Sequence, residues 1–226
     1  MTPTAATARS RRELAEECAN ALTHGLGLML GVAALVLLIV RAVDVGRDGS
    51  LGAALVYGIA LVLLYMFSTL QHAFPPGRVQ RVFLSLDHVG IKLLIAGTYT
   101  PFCLLLPPGY DWAMFFTVWG LVAAGVTAQV AALATGRGAL YEKYAFVFYL
   151  ALGWVPVLIG GKAILAQLAT PGLVFLVAGG LAYSIGVVFY LWRRLPFGHA
   201  VWHLFVVGGS TFHFFSVLFY VVPAPA

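Results

Sequence analysis

The sequence predicts an all-α fold, a seven-helix transmembrane bundle, and three observations predict it. Only 9% of the 226 residues are charged and 62% are hydrophobic, where a soluble domain carries about a quarter charged residues. The mean hydropathy is +0.96. The apolar residues also fall into runs of the length, about 20 residues, that a helix needs to cross a hydrocarbon core, with short polar breaks between them.

The runs are Asn20–Val43, Leu51–Phe74, Asp87–Leu106, Trp112–Ala134, Lys143–Gly160, Leu173–Trp192 and His199–Val222. The first could be read as a cleaved signal segment. Its run exceeds a signal h-region, and it follows Glu13, Glu16 and Glu17 instead of a purely basic stretch, so it is expected to remain as a helix. Each later run is closed by residues that continue a helix poorly: Gly46–Gly49, Pro75-Pro76-Gly77, Pro107-Pro108-Gly109, Gly136-Arg137-Gly138, Thr170-Pro171-Gly172 and Arg193–Pro196. In the third run Pro101 follows Thr98-Tyr99-Thr100, which reads as a kink. Gly pairs such as Gly179-Gly180 and Gly208-Gly209 suit close helix packing. Tyr110, Trp112, Tyr141, Tyr144, Trp192 and Trp202 sit near span ends and read as interfacial anchors. The organisation expected is therefore a segment 1–19, a transmembrane domain 20–222 and a short tail 223–226.

Lys and Arg set the orientation, because cytoplasmic loops carry their excess. Arg9, Arg11, Arg12, Arg78, Arg81, Arg137, Lys143, Arg193 and Arg194 fall on the N-terminal side, against Arg41, Arg47 and Lys162 on the other. The N-terminus is expected in the cytoplasm and the C-terminus outside, in a multi-pass inner (plasma) membrane protein of bacterial type. The net charge of +5 is then a topology signal, and no nucleic-acid partner is expected. Cys18 and Cys103 fall on opposite sides and support no disulfide.

The polar residues within the spans sit at one level. His72 ends the second run, Asp87 opens the third, and His199 and His203 open the seventh, all at the expected cytoplasmic end. His199 and His203 are four residues apart, so a helix stacks them on one face. Ser68 stands in the same relation to His72, about 6 Å away along the helix. Three neutral imidazoles suit Zn²⁺ and leave a fourth tetrahedral position open, as catalytic sites do. Asp87 could accept a proton from water there and Ser68 could hold water or an oxyanion. The same residues could instead form an interhelical hydrogen-bond network that only holds the bundle together.

Four blocks sharpen the choice: Glu17–Gly25 with Asn20 and His24, Ser68–His72, Asp87-His88 followed by Leu94–Phe102, and His199–Val206. In this order they resemble the signature blocks of the hemolysin III family, which belongs with the progestin and adipoQ receptors. The resemblance implies seven spans, a cytoplasmic N-terminus and a zinc ion on His72, His199 and His203, with Ser68 and Asp87 beside it. In the adiponectin receptors and the similar alkaline ceramidases such a site is linked to hydrolysis of lipid amides. The bacterial branch carries a hemolysin name and a link to membrane homeostasis.

The remaining polar residues read more plainly. Asn20 and Thr23 are expected to serve as helix-start and interhelical partners, with His24 and Asn20 able to line the site as the alternative. His88 points about 100° away from Asp87 and reads as an interface residue. His213 lies about 15 Å along the helix from His203 and is expected to bond within the bundle. Lys92 departs from its block, where the family usually has an apolar or aromatic residue, and either snorkels or alters the site's electrostatics. Three functions remain: a zinc-dependent hydrolase acting on a membrane lipid amide, a pore-forming cytolysin, and a receptor or regulator in which zinc is structural.

Overall fold

A computed structural model describes residues 10–223. Arg9 and the end of the tail lie outside these residues. Seven helices follow one another: α1 (Arg11–Val45), α2 (Ser50–Ala73), α3 (Arg78–Cys103), α4 (Tyr110–Ala134), α5 (Gly138–Gln167), α6 (Thr170–Leu191) and α7 (Gly198–Ser216). A π-helical turn, Val217–Val221, continues α7. All seven are long and apolar enough to cross a membrane.

Two helices start well before the apolar runs that announce them. Helix α1 begins at Arg11, nine residues ahead of Asn20, because Ser10 and Glu13 form a capping box: the Ser10 hydroxyl accepts from the Glu13 amide at 3.2 Å and the Glu13 carboxylate accepts from the Ser10 amide at 2.8 Å. Its 35 residues span about 52 Å, more than the ~30 Å hydrocarbon core. Helix α3 begins at Arg78, directly after Pro75-Pro76-Gly77, so Asp87 lies inside the helix and not at its entry. Hydropathy marks where a helix is apolar, whereas caps and breakers mark where it is a helix. Pro101 stays within α3, and the Thr98 and Thr100 hydroxyls bond the carbonyls of Leu94 and Ala96.

The core forms where α1, α2, α3 and α7 meet, with Leu38, Tyr57, Leu61, Leu64, Tyr65, Phe102 and Val217 almost without exposure, and Met114 and Val118 closing it from α4. Glycine permits close approach here: a Cβ at Gly27 of α1 would stand 2.5 Å from the Tyr65 ring. Of the two glycine pairs, Gly179 packs against His213 and Gly209 against Tyr183, while Gly208 meets nothing. Leu158, Val174 and Val188 of α5 and α6 are exposed, as lipid-facing residues should be. At the end away from His72, Arg47 donates to the carbonyls of Leu104 (2.5 Å) and Val221 (3.2 Å), satisfying acceptors that helix ends leave open.

Candidate metal centre

Helix α2 carries His72 two residues before the extended residue Phe74 that stops it. Helix α7 starts at Gly198, behind Phe197 in the left-handed region (φ 56), so His199 and His203 occupy its first two turns. This places one imidazole from α2 against two from α7. One ligand atom from each of His72, His199 and His203 lies within 4.8 Å of the others. The ring centroids are 5.1 Å apart for His72–His199, 5.0 Å for His72–His203 and 4.5 Å for His199–His203.

Two of the three rings are held from behind. His72 Nδ1 stands 2.6 Å from a Glu17 carboxylate oxygen and 3.4 Å from the Asn20 amide nitrogen. A neutral His72 therefore carries its proton on Nδ1, donated to Glu17, and its lone pair on Nε2. That Nε2 is buried and has no hydrogen-bond partner. His203 Nδ1 lies 3.2 Å from the Asn20 carbonyl and 3.2 Å from the Thr23 hydroxyl oxygen. Because Thr23 gives its own proton to the Ala19 or Asn20 carbonyl at 2.9 Å, both groups accept from His203 Nδ1–H. The Nε2 lone pair of His203 is again left free. An imidazole whose far nitrogen donates to a carboxylate or a carbonyl is the form in which histidine ligates metals. The donor set thus fits a metal ion that accepts nitrogen ligands.

The α1 side of this arrangement is where the sequence reading is corrected. Asn20 and Thr23 were expected as helix-start and interhelical partners, and both do bond across helices to the histidines, joined by Glu17; only the helix start is misplaced, since Asn20 lies well inside α1. His24 stacks on His203 with centroids 3.5 Å apart and planes at 14°, and both its nitrogens are buried without partners. The spacing of residues 17, 20 and 24 falls on one helical face, a signal that became usable only once α1 was known to begin before Glu17.

Ser68 is fully buried on α2. Its hydroxyl comes close enough to the Asp87 carboxyl to interact, yet it has no partner in hydrogen-bonding geometry. Asp87 does not join the group of three ligands. His88 and His213 also stay apart from it: His88 faces the Tyr149 ring at 6.5 Å, and His213 Nε2 bonds the Leu176 carbonyl at 3.1 Å, within the bundle as expected.

Residues 12–214 match the family described as Haemolysin-III related. The chain belongs to the hemolysin III family. It is 42% identical over 209 residues to "Hemolysin-3" of Bacillus cereus, covering 92% of this chain and 93% of that protein. It is 39% identical over 211 residues to "Hemolysin-3 homolog" of Bacillus subtilis (93% and 96%). It is also 31% identical over 221 residues to "Monocyte to macrophage differentiation factor" of Homo sapiens (93% and 86%). With its seven spans, this hemolysin III chain is a multi-pass plasma-membrane protein. The blocks that suggested the family lie on α1, α2, α3 and α7, and three of these helices, α1, α2 and α7, build the histidine cluster.

Proposed function

We propose that this hemolysin III family protein holds zinc on Nε2 of His72, on His199 and on Nε2 of His203, and uses it to hydrolyse an amide bond in a membrane lipid of ceramide-like type. The observation that carries the reading is the His72 ring, with Nδ1 occupied by Glu17 and Nε2 buried without a partner. A structural network would have bonded that nitrogen, because leaving it bare costs about 1–3 kcal/mol. Three nitrogen ligands leave the metal an open position, which favours a catalytic site over a closed structural one.

Bound there, zinc would supply Lewis acidity to the substrate carbonyl and lower the proton affinity of water. The rest falls to the chain's own groups. The Asp87 carboxylate receives the proton of the attacking water and returns it to the leaving amine, a role worth about 10²–10⁴ in rate. The Ser68 hydroxyl, without a fixed partner in the resting site, donates to Asp87 or to the oxygen that gains charge. Glu17, Asn20 and Thr23 hold the imidazoles, and His24 covers the face of His203. The excess of basic residues on this side supports a cytoplasmic site. The packed interior of Leu61, Leu64, Phe102 and Val118 weighs against a pore through one chain.

The test is elemental mass spectrometry on purified wild type beside His72→Ala, His199→Ala and His203→Ala, followed by turnover of ceramide-like amides. About one zinc per chain, lost in each variant, is expected, with turnover abolished in His203→Ala and Asp87→Ala. A folded, metal-free wild type would remove the chemistry. Wild-type turnover in both His203→Ala and Asp87→Ala would sink the hydrolase reading and leave a bound zinc structural; unchanged turnover in Asp87→Ala alone would remove that residue as the base.

A further inference from the structure

Lys92 of α3 shows no exposure at all, although it lies in a span where a lone cation is costly. It is five residues beyond Asp87, so the two side chains leave α3 about 140° apart. Its stem runs against α4, where a Cβ at Gly125 would stand 3.4 Å from Lys92 Cδ. The side chain turns back toward the start of α3. Nζ donates to the His88 carbonyl at 2.9 Å and to Gln129 Oε1 at 2.6 Å, and the Gln129 amide donates in turn to the Ser85 carbonyl at 2.9 Å. Lys92 therefore does not snorkel to the interface; its ammonium is buried in the bundle between α3, α4 and α5.

Two tyrosines of α5 complete the cluster. The rings of Tyr141 and Tyr149 lie 5.4 Å and 5.3 Å from Nζ. Tyr141, expected as an interfacial anchor, covers Lys92 instead. Their hydroxyls come close enough to interact with each other, yet both are buried and neither has a partner in hydrogen-bonding geometry. Among the described residues, no carboxylate lies within ion-pair distance of Lys92. The group therefore holds an ammonium with three donors and only two neutral acceptors, beside two phenolic hydroxyls that have only each other within reach. What it lacks is a full set of acceptor oxygens and a carboxylate paired with the ammonium.

We propose that Lys92, Tyr141 and Tyr149 form a binding site for a phosphate oxyanion, supplied by the head group of an anionic phospholipid. A phosphate brings several acceptor oxygens to donors converging from two helices, and its charge offsets the ammonium. Tyr141 lies in the first turn of α5, next to Arg137 and Lys143, at the end of the bundle where α3 starts with Arg78 and Arg81. Basic pockets between spans at that level are where anionic head groups bind. The site is separate from the histidines and needs no metal.

Lipid retention by the metal-free, full-length protein in mild detergent tests this, read by native mass spectrometry with phosphatidylglycerol, phosphatidylcholine and inorganic phosphate as probes. About one phosphatidylglycerol per chain is expected, held at least tenfold more tightly than phosphatidylcholine. Lys92→Met should lose it, and Tyr141→Phe with Tyr149→Phe should weaken it about tenfold, the scale of a hydrogen bond to a charged group. The double tyrosine variant removes only unpartnered hydroxyls, so it decides the matter even if Lys92→Met fails to fold. Protection of wild type but not the double variant by inorganic phosphate, without phosphatidylglycerol retention, would keep the oxyanion site and assign it a soluble source. Equal retention of both lipids, or wild-type retention in the double variant, would overturn the proposal and leave Lys92 as a helix tie.

Discussion

Removing the Glu17 carboxylate should weaken zinc binding without touching a ligand. Glu17 Oε2 is 2.6 Å from His72 Nδ1, with the imidazole side chain 5% and the carboxylate 24% exposed, so the contact is short and shielded mainly on the histidine side. Groups that orient a ligating histidine are worth about 10- to 100-fold in metal affinity, or about 1.4–2.7 kcal/mol. Since Glu17 is partly open to solvent, the lower half of that range is expected for Glu17→Ala. Glu17→Gln keeps an acceptor for Nδ1–H and loses only the charge, so its loss should be smaller. Asn20 Nδ2, 3.4 Å from the same nitrogen, cannot replace it, because an amide NH2 has no lone pair to accept Nδ1–H. The assay is competition for zinc against a chromophoric chelator in detergent, with unfolding temperature recorded for each variant. Equal affinity in Glu17→Ala and wild type would refute the argument that this carboxylate fixes the tautomer of His72.

Other perturbations follow from the same contacts. Thr23→Val removes one of two acceptors on His203 Nδ1 and leaves the Asn20 carbonyl in place, so zinc affinity should fall less than in Glu17→Ala under the same chelator competition. Gly27→Ala brings a Cβ to 2.5 Å from the Tyr65 ring and should destabilise the α1–α2 contact by about 1–3 kcal/mol, read as a lowered unfolding temperature. Ser10→Ala should cost about 1 kcal/mol at the start of α1, seen as faster amide exchange in its first turn with unchanged zinc content. Chelating the ion should lower the unfolding temperature, since ligand at about a hundred times its Kd contributes about 2.7 kcal/mol.

Much of this could be read from the sequence because the membrane makes hydropathy decisive: seven runs became seven helices, and the i, i+4 spacing of His199 and His203 placed both on one face of α7. The convergence of His72 with that pair followed from depth alone. What escaped was set by contacts that neither depth nor composition encodes. Glu17 lay outside the apolar run and was treated as part of a polar leader, because the capping box that carries α1 back to Arg11 adds no hydropathy. Tyr141 passed for an anchor, since an aromatic at a span end looks the same whether it faces lipid or a buried lysine. Ser68 and Asp87 were brought together by depth, and the two do come near one another in the structure although α3 starts nine residues earlier than its apolar stretch.

The distribution of polar groups over the bundle argues for two sites on a shared helix. Helix α1 sets its acceptors against Nδ1 of His72 on α2 and of His203 on α7, and α3 brings Asp87 near Ser68. On its opposite side α3 turns Lys92 to α4 and α5. The first group has lone pairs without an acid, and the second has more donors than acceptors. Each is costly to bury in that state. The proposed cation for the first and the proposed anion for the second can therefore be tested independently, by removing the partners of one while leaving the other set intact.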